Sequence, residues 1–316
     1  MRRAAINAAA SSRGMALITA LIVVALLVTI AVELVYAVYG HGRSTRLYAH
    51  AVQASLLASS AIEAEAVRLS AFGGDKYTRL ADAERARGFS AEDAGRVKLS
   101  IEDEQGKVAL NQMVAQNGEL VPERFELFRR LLKTLGLQDE LAFAVADWID
   151  ADAAPREGGA ESDYYKELKP AYAPKNSALY SVEELLLVKG FDAETVKRLK
   201  PFVTVYTDGL ININDAPREV IMALDDEISA DMAESVIQAR ETSPFESAAK
   251  IREIQGFGAL EVGLEGRLTT KSSTFRIEGT AESGEAKRAV EAVFRTATGN
   301  NAGGAAQIRT LYWRER

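Results

Sequence analysis

Asp147, Asp150, Asp152, Glu161 and Asp163 crowd one short stretch that also holds Gly158 and Gly159. Calcium takes roughly six to eight oxygen ligands, which a flexible acidic loop and its backbone carbonyls can supply. The spacing is not that of an EF-hand loop, so the same residues also read as a solvated acidic face. Paired carboxylates can run acid and base chemistry as well, but that needs a cleft and a separation that only a fold defines. Other chemistry is poorly provided for. The chain has no cysteine, hence no thiol nucleophile or thiolate metal site, and its two histidines, His41 and His50, lie beside the apolar N-terminal segment. A histidine-rich zinc site and a Ser/His/Asp triad in the remainder are therefore disfavoured. No His-Glu-x-x-His, phosphate loop or Gly-x-Ser-x-Gly elbow occurs. A net charge of -7 argues against a nucleic-acid surface as the principal one, because phosphate binding needs a concentrated positive field.

The acidic stretch must be held by its neighbours, and these read as helices. Phe125, Phe128, Leu131, Leu132 and Leu135 recur at helical spacing, and Gly136 closes the pattern; a second helix over 141–149 runs into the acidic loop. Ser181-Val182-Glu183-Glu184 reads as a capping box opening a helix over 185–188, and Gly190-Phe191 turns the chain into another that Asp192 begins. Ser243-Pro244-Phe245-Glu246 opens a helix through Ile251 and Ile254, closed by Gly256-Phe257-Gly258, while Asp215 and Ser229 serve as caps in between. The pairs resemble helix-hairpin-helix, or SAM-like, units, and 211–217 continued through Arg240 to Gly258 resembles competence-type DNA-binding domains. Lys189, Lys197 and Arg198 support that reading; Asp192, Glu194, Glu253, Glu261 and Glu265 around the turns oppose it and favour a packing module. Strands flank the helices. Val97, Leu99 and Ile101 alternate with polar residues, Gln105-Gly106 turns, and Val108 and Leu110 resume; 268–277 and 289–294 flank a turn region at 279–285.

At the other end, Arg2, Arg3 and Arg13 precede 18 uncharged residues at 15–32, enough for a helix of roughly 27 Å. Tyr36 and Tyr39 fall where an interfacial aromatic belt belongs, and the basic flank places the N-terminus in the cytoplasm. The run is longer than a cleavable signal core and no small-x-small site ends it, so it reads as an anchor rather than a removed signal. Helical periodicity continues over 47–69, with Gly40 and Gly42 as points of weakness and Gly73-Gly74 as the end.

The sequence 13–18, Arg-Gly-Met-Ala-Leu-Ile before a long apolar helix, resembles the class III signal of type IV pilin-like proteins. The resemblance implies cleavage between Gly14 and Met15 and methylation of the new N-terminus at Met15. Such proteins usually carry Glu five residues after the cut, and this chain has Thr19. That departure, together with Ala146-Asp147-Trp148-Ile149-Asp150-Ala151-Asp152, the segment 158–165, and the stretches 181–191 and 211–217, resembles the general secretion pathway protein K family of minor pseudopilins in type II secretion.

The family implies an α/β, type IV pilin-like fold with a long N-terminal transmembrane helix and a large α-helical insertion in the β-sheet domain. The expected division is a leader at 1–14, a transmembrane part at 15–39, an exported helix at 40–72, a first part of the pilin-like body at 73–118, the helical insertion at 119–260, and the last part with a C-terminal tail at 261–316. It implies a non-catalytic subunit at a pseudopilus tip, held in the bacterial inner membrane by a single pass, with its C-terminal domain in the periplasm. The implied partners are other minor pseudopilins, the inner-membrane secretion machinery, exported substrates and the outer-membrane channel, with no nucleic acid; a membrane-tethered DNA-uptake module is the alternative. It also implies calcium, with Asp152, Glu161 and Asp163 as the first ligand choices and Asp147 and Asp150 as residues that cap helices, face solvent or join them.

Overall fold

The computed structural model describes residues 2–72, 76–85, 97–260, 264, 266–297 and 307–316. Helix α1 spans Arg2–Phe72, about 105 Å end to end, and its backbone stays helical through Gly40 and Gly42. Within it, Met15–Ala37 is apolar, with mean hydropathy 3.0, and none of the described residues covers it. Farther along, Ala54, Ala58, Ile62, Ala66 and Leu69 are buried. Their spacing of three and four residues gives one helical face, and the alanines let a sheet approach closely.

That sheet is antiparallel. After a short α2 (Leu80–Arg85), strand β1 (Val97–Asp103) joins it, and the chain then leaves for the helical region. There β2 (Val108–Ala109), α3 (Pro122–Thr134), α4 (Leu141–Ile149), α5 (Ser162–Glu167), α6 (Ala193–Leu199), β3 (Val203–Thr204), β4 (Ile211–Asn212), α7 (Arg218–Ala223), α8 (Ala230–Thr242) and β5 (Leu268–Thr269) follow in turn. Strands β6 (Thr274–Ser283), β7 (Ala286–Ala297) and β8 (Gln307–Glu315) complete the order β1-β6-β7-β8. Asp103 at the end of β1 faces Phe275 at the start of β6. The helical region is therefore spliced between neighbouring strand ends, and the parallel pairs β2 with β3 and β4 with β5 tie its base.

Alternation along β7 makes three layers. Val290, Ala292 and Phe294 pack with β6 against α1, while Val293 belongs to the core of the helical region on the opposite face. Gly279 sits under α1, where an added Cβ would come within 3.0 Å of Ile62 Cγ1. It is thus a close-approach residue inside β6 and not part of a turn; the hairpin bend is confined to Gly284-Glu285, with Gly284 at φ +53 and against His50.

Several local expectations change. Val108 resumes as a strand but pairs with Val203, and Leu110 begins a 3-10 turn. Ser181 and Ser243 do not open α-helices: residues Val182–Leu187 and Ala248–Glu253 are 3-10, the second beginning after Ser247. Glu184 reaches back to the Tyr180 N–H, so its carboxylate caps one residue early. Asp192 and Ser229 do cap, accepting from Thr195 N and Met232 N. Asp215 does not; it accepts from Leu80 N instead. The C-terminal tail is strand β8. Gly73, Gly74, Glu261 and Glu265 lie outside the described residues.

Candidate functional site

Helix α4 is apolar almost throughout, yet Asp147 sits in its last turn and Asp150 just past its end. Three residues apart on a helix, the two carboxylates share a face. Here the face is internal, with Asp147 fully buried and Asp150 nearly so. The chain then loops back through Gly158, at φ +87, and Gly159. A Cβ on Gly159 would fall 1.9 Å from Asp147 Oδ2, so only glycine lets the loop pass the carboxylate. Glu161, buried at the entrance to α5, completes the group. Carboxylate oxygens of Asp147, Asp150 and Glu161 all lie within 4.8 Å of one another.

Among the described residues one cation, Arg156, pairs with two of these three acids. Arg156 Nη1 donates to Asp147 Oδ1 at 2.6 Å and also to Asp150 Oδ2, its backbone N–H reaches Asp147 Oδ2 at 3.1 Å, and Nη2 reaches the Gly118 carbonyl. Asp150 Oδ1 and both oxygens of Glu161 are buried without a hydrogen-bond partner among the described residues. The electrostatics agree with the geometry. Burial, followed by the charges of Asp147, Asp150 and Asp152, pushes the Glu161 carboxyl up to about 7. Burial raises Asp150 too, against the pull of Arg156. The donors are all oxygen and include no histidine or thiolate, a set that suits a hard cation such as Ca²⁺ and not a structural zinc.

Thus the structure brings together Asp147, Asp150 and Glu161. Neither Asp147 nor Asp150 faces solvent; Asp150 takes the C-cap position of α4, its backbone N–H donating to the Ala146 carbonyl while its side chain turns to Arg156. Asp152 is exposed, its Oδ1 accepting from Ala154 N, and acts on the group through its charge alone. Asp163 is fully solvated, 3.9 Å from Lys166. Arg156 was missed by sequence reasoning, although it is the sole basic residue between Asp150 and Lys166.

The loop is braced by aromatic and basic side chains. Trp148 meets Tyr165 edge-on at 5.2 Å and donates to Glu184 Oε1. Lys189 Nζ donates to the Gly159 carbonyl at 2.8 Å, and its backbone N–H to the Tyr165 hydroxyl. Arg198 is likewise used internally, on the Leu135 carbonyl. A Cβ at the Gly190 turn would lie 2.6 Å from Leu141 Cδ2, so that glycine packs against α4.

On α1, Thr19 turns its hydroxyl inward, donating to the carbonyls of Met15 at 2.9 Å and Ala16 at 3.0 Å. It therefore presents no charge within the apolar span. The Gly14–Met15 junction lies inside the continuous helical backbone.

Residues 106–208 and 211–271 each match a family model described as Type II secretion system (T2SS), protein K. The chain is 34% identical over 249 residues to type II secretion system protein K of Pseudomonas aeruginosa, covering 74% of each. It is 29% identical over 260 residues to the protein of that name from Klebsiella pneumoniae, covering 75% of this chain and 78% of the relative. The fold matches a chain of the crystal structure of the GspK-GspI-GspJ complex of enterotoxigenic Escherichia coli. That match has TM-score 0.67 and 18% identity, over 87% of this chain and 99% of the other.

Proposed function

The chain belongs to the type II secretion system protein K family, and we propose that it is the minor pseudopilin at the tip of the secretion pseudopilus, initiating or capping the filament. On this reading α1 is first a membrane anchor, cut between Gly14 and Met15 and methylated at Met15, and afterwards an assembly helix. The body stands in the periplasm and its role is non-catalytic. Other minor pseudopilins are the partners, in keeping with the complex in which the structural neighbour was solved, and the inner-membrane machinery, exported substrates and the outer-membrane channel follow as further contacts.

The observation that carries the reading is where the helical region leaves the sheet. Ser283 at the hairpin bonds His50, near the membrane end of α1, while Leu69 and Phe275 line one cavity at the far end. Asp103 and Thr274, which bracket the helical region, are thus at the end remote from the membrane. A bulky body there obstructs a subunit stacking above, while the exposed span of α1 remains free to pack below. Thr19 fits the same place, because a carboxylate in an apolar setting costs several kcal/mol unless it meets a partner. A first subunit has no earlier neighbour to supply one.

Calcium belongs to the same proposal. Asp147, Asp150 and Glu161 would hold the ion, which supplies the positive charge their buried oxygens lack and fixes the loop on α4. The test of the tip role uses the strand register. Replacing residues 105–272 by a short Gly/Ser link closes β1 and β6 into a hairpin. The expected result is a chain that still inserts and still co-purifies with the other minor pseudopilins, but with altered filament number or length and lost secretion. Filaments and secretion like those of the parent would refute the tip role.

A further inference from the structure

The sheet is open on the side of β8. Its inner edge pairs with β7 from Gln307↔Ala297 to Glu315↔Val290, and among the described residues no strand pairs with its outer edge. An open strand edge offers a row of N–H and C=O groups to another chain, and proteins generally blunt it with charge or bulges. Here the bulge opposite Val293/Phe294 brings Thr310 and Trp313, three residues apart, onto one face of β8.

Toward α1 point Ile308, Thr310 and Trp313, which with Val67 line a groove of about 490 Å³. It is apolar and open, with Val67 59% and Trp313 38% exposed. Glu63 is the charge on its wall, so the groove favours apolar side chains and disfavours acidic ones. The opposite face is different. Leu311 and Tyr312 lean on the helical region, leaving Arg309 and Arg314 exposed, and neither has an ion-pair partner among the described residues. Neighbouring Glu315 and Arg316 are already engaged, with Ser55 and Glu291.

We propose that the outer edge of β8 docks an extended segment of a partner protein as a fifth strand, apolar on the side facing α1 and acidic on the side facing Arg309 and Arg314. Backbone hydrogen bonds would supply affinity. The pleat supplies specificity, since successive side chains of the incoming strand fall alternately into the groove and beside the arginines. The inference stands apart from the tip reading, because binding is read on the isolated chain with no other subunit present.

The test uses the full-length chain in detergent micelles and a fluorescein-labelled octapeptide of alternating valine and glutamate, followed by anisotropy. The expected result is saturable binding that weakens at least roughly tenfold when lysine replaces glutamate in the peptide, since like charges then meet. Arg309→Glu with Arg314→Glu should reverse the preference between the two peptides, and Trp313→Ala should weaken both. Backbone N-methylation along one edge of the peptide should abolish binding. Unchanged melting of the variants guards against misfolding, as these side chains are exposed. No binding, equal binding of the two peptides, insensitivity to N-methylation, or a preference that survives the charge reversal would each overturn the proposal.

Discussion

Two of the places where charge is buried are settled differently. At the joint with the sheet, fully buried Glu104 accepts from Lys107, from Arg276 and from the Thr204 hydroxyl, and Arg276 also donates to Glu291. Burial alone would raise Glu104, but Lys107 and Arg276 outweigh it and hold the carboxyl below its usual range. Burial would likewise lower Arg276, and Glu104 with Glu291 holds it above its usual range. Lys200 and Arg316 add further positive charge beside Glu291. Around Asp147, Asp150 and Glu161, by contrast, one guanidinium serves Asp147 and Asp150 alone, and among the described residues Asp150 Oδ1 and both Glu161 oxygens lack hydrogen-bond partners. The first place is a joint that the chain completes itself. The second is short of positive charge, and the proposed calcium ion is what would complete it.

Breaking the joint should have the largest effect. Arg276→Met leaves Glu104 and Glu291 buried without their common partner, a loss of about 3–5 kcal/mol expected in a denaturant titration. Arg276→Lys, which keeps the charge, should recover part of it. A cost near zero for the methionine variant would mean that the network does not fix the helical region on the sheet. The acidic group is the next test. Calcium at about a hundredfold excess over its dissociation constant should stabilise the chain by about 2.7 kcal/mol, and chelation should remove the gain. Glu161→Gln should abolish most of the calcium increment, whereas Arg276→Met should melt lower but retain it. Identical melting in calcium and in chelator would end the distinction between the two places.

How legible were these features in the sequence? The buried face of α1 was, because Val52, Leu56, Ile62, Ala66 and Leu69 advertise a helix, although the packed side proved to be the alanine-rich one around Ala54 and Ala58. The mixed helix and sheet and the apolar N-terminal helix were legible as well. Strand β8 was not, since the bulge at Leu311 destroys the period of two on which a strand is recognised. The segments after Ser181 and Ser243 carry start signals that α and 3-10 turns share, and the outcome is set by packing of Leu185 and Ile251 rather than by the cap. In the acidic stretch the spacing of Asp147 and Asp150 was a usable sign of a common face. What no spacing could give was the return of the ten-residue loop 151–160 that sets Glu161 beside them and leaves Asp163 outside. Such closure depends on Gly159, Arg156 and Lys189 acting at a distance along the chain.

A third buried group extends the contrast, because there a proton is the answer. Asp103 and Asp215 share the Asn212 amide, which donates to Asp103 Oδ2 at 3.1 Å and to Asp215 Oδ2 at 3.2 Å. Gln105 N and the Ser272 hydroxyl donate to Asp103, and Leu80 N to both oxygens of Asp215. Arg240 lies near but spends its Nη1 on the carbonyls of Ile213 and Ala216. Burial raises both carboxyls, and with the charge of Asp103 added it pushes Asp215 up to about 8. At neutral pH the folded pair therefore holds a proton that the unfolded chain, with ordinary aspartates near pKa 3.9, does not. Its stabilising contribution is complete below the unfolded pKa and is lost as pH rises through the folded one. With calcium saturating and the Arg276 joint intact, stability should fall between about pH 5 and pH 8, and Asp215→Asn should flatten that fall. The amide oxygen still accepts from Leu80 N, so the variant tests the proton rather than the contact. A slope identical to that of the parent would show that the pair is not what couples this junction to pH.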